Sequence, residues 1–299
     1  MDFFVLEVLV GGLLTGVLYA LVALGFVLIF KASAVFNFAQ GSMCLFAALA
    51  LVRLMEVMPV ALALLSAAAI MIGLAFAIER LVLRPLVHQA AIILFMATIG
   101  ITFFLDGFGQ SLFGSEVYTL DLGIPKNPLI LFESIIPGGI LVNEFDLWAA
   151  VAAGLLVAVL AVFFQRTRIG RALRAVADDH QAAQSVGIPL RHIWVIVWSV
   201  AGLVALVAGI IWGSKLGVQF SIALVALKAL PVLMLGGLTS VPGAIVGGLI
   251  VGAGEKLSEV FLGPFLGGGI ENWFAYVLAL LFLLVRPQGL FGERIIERV

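Results

Sequence analysis

The chain has 299 residues, 64% of them hydrophobic, and carries only 16 Lys or Arg and 17 Asp or Glu. A soluble domain carries roughly 25% charged residues; at 11%, with a mean hydropathy of +1.26, this chain lacks the polar side chains for a water-facing exterior, and lipid is the solvent of most of it. The net charge of -1 and the single cysteine, Cys44, exclude a basic nucleic-acid-binding surface and an intrachain disulfide.

The first residues, Met1 to Glu7, hold Asp2 and Glu7 and no Lys or Arg, so they lack the positive start of a secretory signal. The charge-free run Val8 to Phe30 exceeds the roughly 20 apolar residues a spanning helix needs. Further runs lie at Gln40 to Val52, Met58 to Ile78, Ala91 to Phe113, Leu147 to Phe164, Ile193 to Gly213, Phe220 to Leu238, Pro242 to Gly254 and Ile270 to Val285. The pattern predicts an all-α polytopic membrane protein of about nine transmembrane helices, with a range of eight to ten. It forms one membrane domain over 1–299, with an external loop at 114–146 and a cytoplasmic loop at 165–192. Gln40 to Val52 and Pro242 to Gly254 are too short to cross at about 1.5 Å per residue and read as broken or re-entrant segments in pseudo-repeated halves. Gly12 and Gly16, Gly243 and Gly247, and Gly248 and Gly252 share the i, i+4 spacing that lets helix backbones approach closely in lipid.

The two interruptions bring uncharged hydrogen-bonding groups to membrane depth. Asn37, Gln40, Gly41 and Ser42 stand in the first, and Gly236, Gly237, Thr239 and Ser240 in the second. Paired interruptions of this kind form substrate sites in internally repeated transporters, where helix N-termini and free N–H groups suit a carboxylate. The same residues also read as water-exposed interhelical turns. Lys228 falls near the middle of its run, where a cation costs roughly 2.5–3.5 kcal/mol on insertion scales. It reads either as a packing or ion-pair residue or as a contact of the translocation pathway. Asp106 is another charge inside a proposed span, either the partner of Lys228 or an interfacial group.

Charge sorting sets the orientation. Residues 165–192 hold Arg166, Arg168, Arg171, Arg174 and Arg191 against Asp178 and Asp179, whereas 114–146 hold five acids against Lys126. With the first loop cytoplasmic and nine alternating crossings, the N-terminus lies outside, the C-terminus inside, and 11 of the 16 basic residues fall inside. From Arg168 to Val186 the cytoplasmic loop reads as a surface helix, with Ile169, Leu173 and Val176 on one face and Arg171, Arg174, Asp178 and Gln181 on another. Gly187, followed by Ile188 and Pro189, ends it. Such a helix suits docking to a partner or lying on anionic lipid.

Arg174-Ala175-Val176-Ala177-Asp178 followed by Gln181-Ala182-Ala183-Gln184-Ser185-Val186-Gly187-Ile188 resembles the cytoplasmic coupling loop of ABC-importer permeases. Asn37-Phe38-Ala39-Gln40-Gly41, the stretch from Lys228-Ala229 through Leu235-Gly236-Gly237 to Pro242-Gly243-Ala244, and Arg286-Pro287-Gln288-Gly289-Leu290-Phe291-Gly292 resemble the branched-chain amino acid permease family. The resemblance covers nearly the whole chain, with the motifs in order. It implies a bacterial inner-membrane subunit paired with a homologous second permease or another copy of itself, two cytoplasmic ATP-binding subunits and a periplasmic binding protein. Arg171, Arg174, Asp178, Asp179, Gln181, Ala182, Ala183 and Gly187 would form the ATPase-coupling loop. The chain binds no cofactor or metal on this reading. ATP would sit on the partner subunits, since no G-x-x-x-x-G-K-[ST] loop occurs.

Where branched-chain members of the family commonly carry His-Gly-Glu, this chain has Gln40-Gly41-Ser42, and the acidic residue of the coupling triplet is Gln181. Pro231 also falls inside the Lys228 helix. The expected substrate is a small, partly apolar carboxylate or amide, an aliphatic amino acid first, with urea, short amides, aromatic acids and dicarboxylic acids behind it. The competing reading is an ion-coupled secondary transporter, for which Asp106 is the candidate ion-binding acid within the spans. No H-E-x-x-H or G-x-S-x-G motif favours an enzyme.

Overall fold

A computed structural model describes residues 2–86, 89–133, 138–178 and 180–292. Its helices are α1 (Asp2–Ser33), α2 (Gln40–Met55), α3 (Val60–Ala77), α4 (Ala91–Phe113), α5 (Glu144–Arg166), α6 (Arg168–Asp178), α7 (His180–Ser185), α8 (Leu190–Leu216), α9 (Ser221–Gly236), α10 (Val241–Leu266) and α11 (Phe274–Val285). Each of the nine apolar runs falls on a helix, but they are not nine equivalent spans. α1, α3, α4, α5 and α8 are long and apolar enough to cross a membrane, α9 and α10 form a pair bent by 114°, and α2 and α11 are shorter apolar helices.

The described residues pack into two compact units: Met1–Ala23, Gly123–Leu155 and Lys228–Val299 in one, Leu24–Leu122 and Leu156–Leu227 in the other. In the second unit α2 is central. Every residue from Gln40 to Val52 is buried, and α2 packs against α3, α4 and α8. A helix apolar on all sides sits inside protein, which suits one too short to meet lipid at both ends. α3 buries only Ala63, Ala67, Met71 and Ala75, a seam at i, i+4 spacing facing α8. Its opposite side exposes Leu62, Leu65, Ile70, Ile72 and Phe76. In water such a face would be a liability; in lipid it is the expected exterior. α3 runs into a π-helical turn, Ile78–Leu83, where buried Glu79 accepts from Arg84 at 3.1 Å.

In the first unit, the N-terminal half of α1 lies along α10 through the spaced glycines. A Cβ on Gly16 would stand 2.5 Å from the Gly248 carbonyl oxygen, and one on Gly248 2.6 Å from that of Gly16. Only hydrogen fits in this seam, as the spacing predicted.

Two expectations about length change. α10 runs 26 residues to Leu266 and is not a half-helix ending at Gly254. The helix continues through Glu255, Lys256 and Glu259 because each finds a partner within the unit. α9 continues through Pro231 to Gly236. A buried proline costs one helix hydrogen bond, which packed neighbours in a membrane bundle tolerate.

The 114–146 segment holds an antiparallel pair that the hydropathy pattern does not reveal, β1 (Pro128–Leu131) and β2 (Ile140–Asn143). Leu129 pairs with Val142 and Leu131 with Ile140, so the less exposed side chains of both strands share one face.

Candidate functional site

In the first interruption, between α1 and α2, the backbone turns away from helix at Ala34 to Ala39, and its polar groups are satisfied locally. Fully buried Asn37 accepts from the Ala39 amide at 3.2 Å and donates to Gln40 Oε1 at 3.2 Å. Thr98, also fully buried, donates to the Phe36 carbonyl at 3.0 Å and faces the Phe38 amide at 3.4 Å. Phe26, Phe36, Phe38 and Phe95 form a chain of ring contacts around the turn. Val35, Asn37 and Ala39 are buried within this turn, while Ala34 at its start is exposed.

Two polar atoms in it stay unsatisfied among the described residues, Gln40 Nε2 and Ser42 Oγ, although both residues are buried. Such orphans in a native interior call for a water or a ligand group. Gln40 lies in the notch left by Gly25, where a Cβ would occupy its amide. Gly41 meets the Ala223 carbonyl so closely that no side chain fits. The interruption therefore combines helix packing with unfilled hydrogen-bonding capacity.

The second interruption, between α9 and α10, is built from backbone. Ser240 is the N-cap of α10 and accepts from the Gly243 amide at 3.0 Å, with Pro242 in the first turn, the residue types a helix start favours. Gly236 abuts Gly243, and Gly237 adopts φ +107° with Gly292 against it. The Leu290 amide donates to the Leu235 carbonyl at 2.8 Å and the Phe291 amide to that of Gly236 at 3.0 Å. The Arg286-to-Gly292 motif thus caps the carbonyl end of α9, which a helix leaves unpaired. Thr239 is half-buried beside it.

Lys228 has a partner the sequence did not reveal. Its Nζ lies 3.8 Å from Glu255 Oε2 and donates to the Glu271 carbonyl at 3.3 Å. The Tyr19 hydroxyl donates to the same Glu255 oxygen at 2.9 Å, and the Tyr19 ring lies 6.0 Å from Nζ. Lys256 pairs with Glu271 at 3.0 Å, while Glu259 accepts from the Gly269 and Glu271 amides at 2.9 Å each. The counter-charge of Lys228 is thus Glu255 and not Asp106. Five charged residues and a tyrosine tie α1, α9, α10 and the turn before α11 together. Glu255, Lys256, Glu259 and Tyr19 went unnoticed because the first three lay past the assumed end of a short run and the fourth is an ordinary core residue by sequence.

The 165–192 segment folds as the periodicity predicts over α6. Leu173 and Val176 are buried, while Arg171 and Arg174 are exposed. Thr167 starts the helix by accepting from the Gly170 amide at 3.0 Å. Arg174 donates to the Gln165 carbonyl at 3.3 Å and Arg171 to that of Arg166 at 3.4 Å, placing cations at the negative end of α5. The helix expected over 168–186 is described as two segments, α6 and α7. Ala182 is exposed and Ala183 buried; Asp179 and the side chains of Asp178 and Gln181 lie outside the described residues. Gly187 has φ +85°, and the Ile188 amide donates to the Ala183 carbonyl at 3.0 Å, the left-handed stop expected of a glycine there.

Residues 8–286 match the family described as branched-chain amino acid transport system / permease component. The high-affinity branched-chain amino acid transport system permease protein BraD of Pseudomonas aeruginosa is 31% identical, covering 98% of each chain. The corresponding LivH protein of Escherichia coli K12 is 27% identical over 98% of this chain and 97% of its own. A probable LivH of Methanocaldococcus jannaschii is 28% identical over 95% and 92%. With the family model matched over nearly all of its length and a relative above 30% identity, the chain belongs to the permease-component family of the branched-chain amino acid transport systems.

Proposed function

We propose that this chain is a permease subunit of an ATP-driven importer carrying branched-chain amino acids across the bacterial inner membrane. The observation that carries the reading is the family match over 8–286, joined by relatives whose names specify branched-chain amino acid transport. Urea, short amides, aromatic acids and dicarboxylic acids have no support among these relatives, and neither has an ion-coupled carrier. The partners are a second permease, homologous or identical, two ATP-binding subunits and a periplasmic binding protein.

The α6–α7 segment, from Arg171 to Gly187, docks in an ATP-binding subunit. ATP binding there shifts the permease pair between inward- and outward-open states, which requires contacts that differ between the states. Asn37, Gln40, Gly41, Ser42, Gly236, Gly237, Thr239, Ser240 and Lys228 line or shape the pathway, with the unfilled Gln40 and Ser42 groups the most direct support. The N-terminus lies outside and the C-terminus in the cytoplasm. Arginine sorting supports this orientation; the alternation of crossings, though not which side is outside, agrees with contacts between helix ends: Phe4 with Phe261, the Trp194 ring nitrogen with the Ala32 carbonyl, Tyr118 with Val218, and Leu290 with Leu235.

The docking is tested by cross-linking. With buried Cys44 replaced by alanine, a cysteine at exposed Arg174 or Val186 should cross-link to the ATP-binding subunit in the assembled complex, and the yield should change with ATP. A cysteine at exposed Val117 should not cross-link. Equal yields from both sides would overturn the assignment.

A further inference from the structure

Glu255 is 2% exposed. One carboxylate oxygen, Oε2, receives the Tyr19 hydroxyl and faces Lys228; the other, Oε1, has no hydrogen-bond partner among the described residues. A buried carboxylate with one empty oxygen is costly unless something with a donor occupies it. Lys228 shows the complementary deficit. It carries three donors, spends one on the Glu271 carbonyl, and at 3.8 Å from Glu255 makes a loose charge pair, beyond hydrogen-bond reach. Its side chain is also 25% exposed. A lysine within a span faces the protein interior or a water-filled cavity and not hydrocarbon.

The pair therefore leaves one acceptor of negative charge and spare donors of positive charge unspent side by side. An anion alone would satisfy Lys228 and leave Glu255 Oε1 empty; an amine would do the reverse. A small zwitterion satisfies both. We propose that Lys228 and Glu255 form a recognition site for the charged ends of an amino acid, Lys228 taking the α-carboxylate and Glu255 Oε1 the α-ammonium. Tyr19 acts as a positioning residue that holds Oε2. This deepens the functional reading above and rests on it.

The test uses the assembled permease and ATP-binding subunits in nanodiscs without the binding protein. Three probes are used: leucine, 4-methylpentanoate, which lacks the ammonium, and isopentylamine, which lacks the carboxylate. Wild type should bind leucine at least tenfold more tightly than either single-ended analogue. Glu255→Gln should weaken leucine and isopentylamine about tenfold and leave 4-methylpentanoate unchanged. Lys228→Met should weaken leucine and 4-methylpentanoate and spare the amine. Should either variant fail to assemble, Tyr19→Phe decides, with leucine and the amine weakened several-fold and the acid unaffected. Equal loss for all three probes marks a structural ion pair and overturns the proposal, as does unchanged leucine binding in any assembled variant. Absence of leucine binding to wild type overturns the site alone if the complete transporter still imports leucine; a complete transporter that imports none overturns the functional reading itself.

Discussion

Replacing Gly187 separates docking from folding, because the structure shows what the substitution costs. Among the described residues no atom lies within 4 Å of where its Cβ would stand, so a side chain meets no described neighbour and the penalty falls on the backbone. At φ +85° an L-residue pays roughly 1–2 kcal/mol, and a β-branched one sits at the upper end. Since about 1.4 kcal/mol is tenfold in an equilibrium, Gly187→Val should populate the capped end of α7 on the order of tenfold less than wild type. Gly187→Asn, which tolerates the left-handed conformation, should sit close to wild type. In proteoliposomes containing the complete transporter, the valine variant should insert and assemble normally. Its amino acid imported per ATP hydrolysed should drop roughly three- to tenfold, with the asparagine variant above half of wild type. Equal coupling in the valine and wild-type transporters, or equal loss in valine and asparagine, would refute the link between this cap and coupling.

Gly16→Val puts a side chain against the Gly248 carbonyl and should destabilise by about 1–3 kcal/mol through overpacking, read as a lower midpoint of denaturant unfolding in detergent. Arg84→Met strands the buried Glu79 carboxylate and should cost about 3–5 kcal/mol. The double variant Glu79→Gln/Arg84→Met should recover most of that loss, and a lack of recovery would show that the charge is not the cause. Thr98→Val keeps the side-chain shape but leaves the Phe36 carbonyl without its donor. It should destabilise by about 1–3 kcal/mol, and a change under about 0.5 kcal/mol would contradict the role given to Thr98 in holding the interruption.

What was legible in the sequence was what local pattern controls. Ala91 to Phe113 is α4 as predicted, because a long apolar run with Asp106 as its one charge leaves little choice in lipid. Leu173 and Val176 bury as their spacing dictates, and Gly187 stops its helix because only local conformation is involved. What stayed hidden depends on groups distant in sequence. Glu255 looks like the end of a span until Tyr19, 236 positions away, and Lys228 supply its partners. Thr98 is one more threonine in an apolar run until it meets the Phe36 carbonyl, 62 positions away. The Arg286-to-Gly292 motif was recognisable as a motif, but its task of capping α9 appears only when both backbones are in place.

The central claim is that this chain moves branched-chain amino acids as part of an ATP-driven complex. Its most direct test is uptake of radiolabelled leucine into proteoliposomes holding the chain with its second permease and ATP-binding subunits, with the binding protein added outside and ATP trapped at the ATPase face. Uptake should require ATP hydrolysis and the binding protein, and should be unaffected when proton and sodium gradients are collapsed. Leucine uptake driven by an ion gradient without ATP, or no uptake from a complete and ATP-hydrolysing complex, would contradict it.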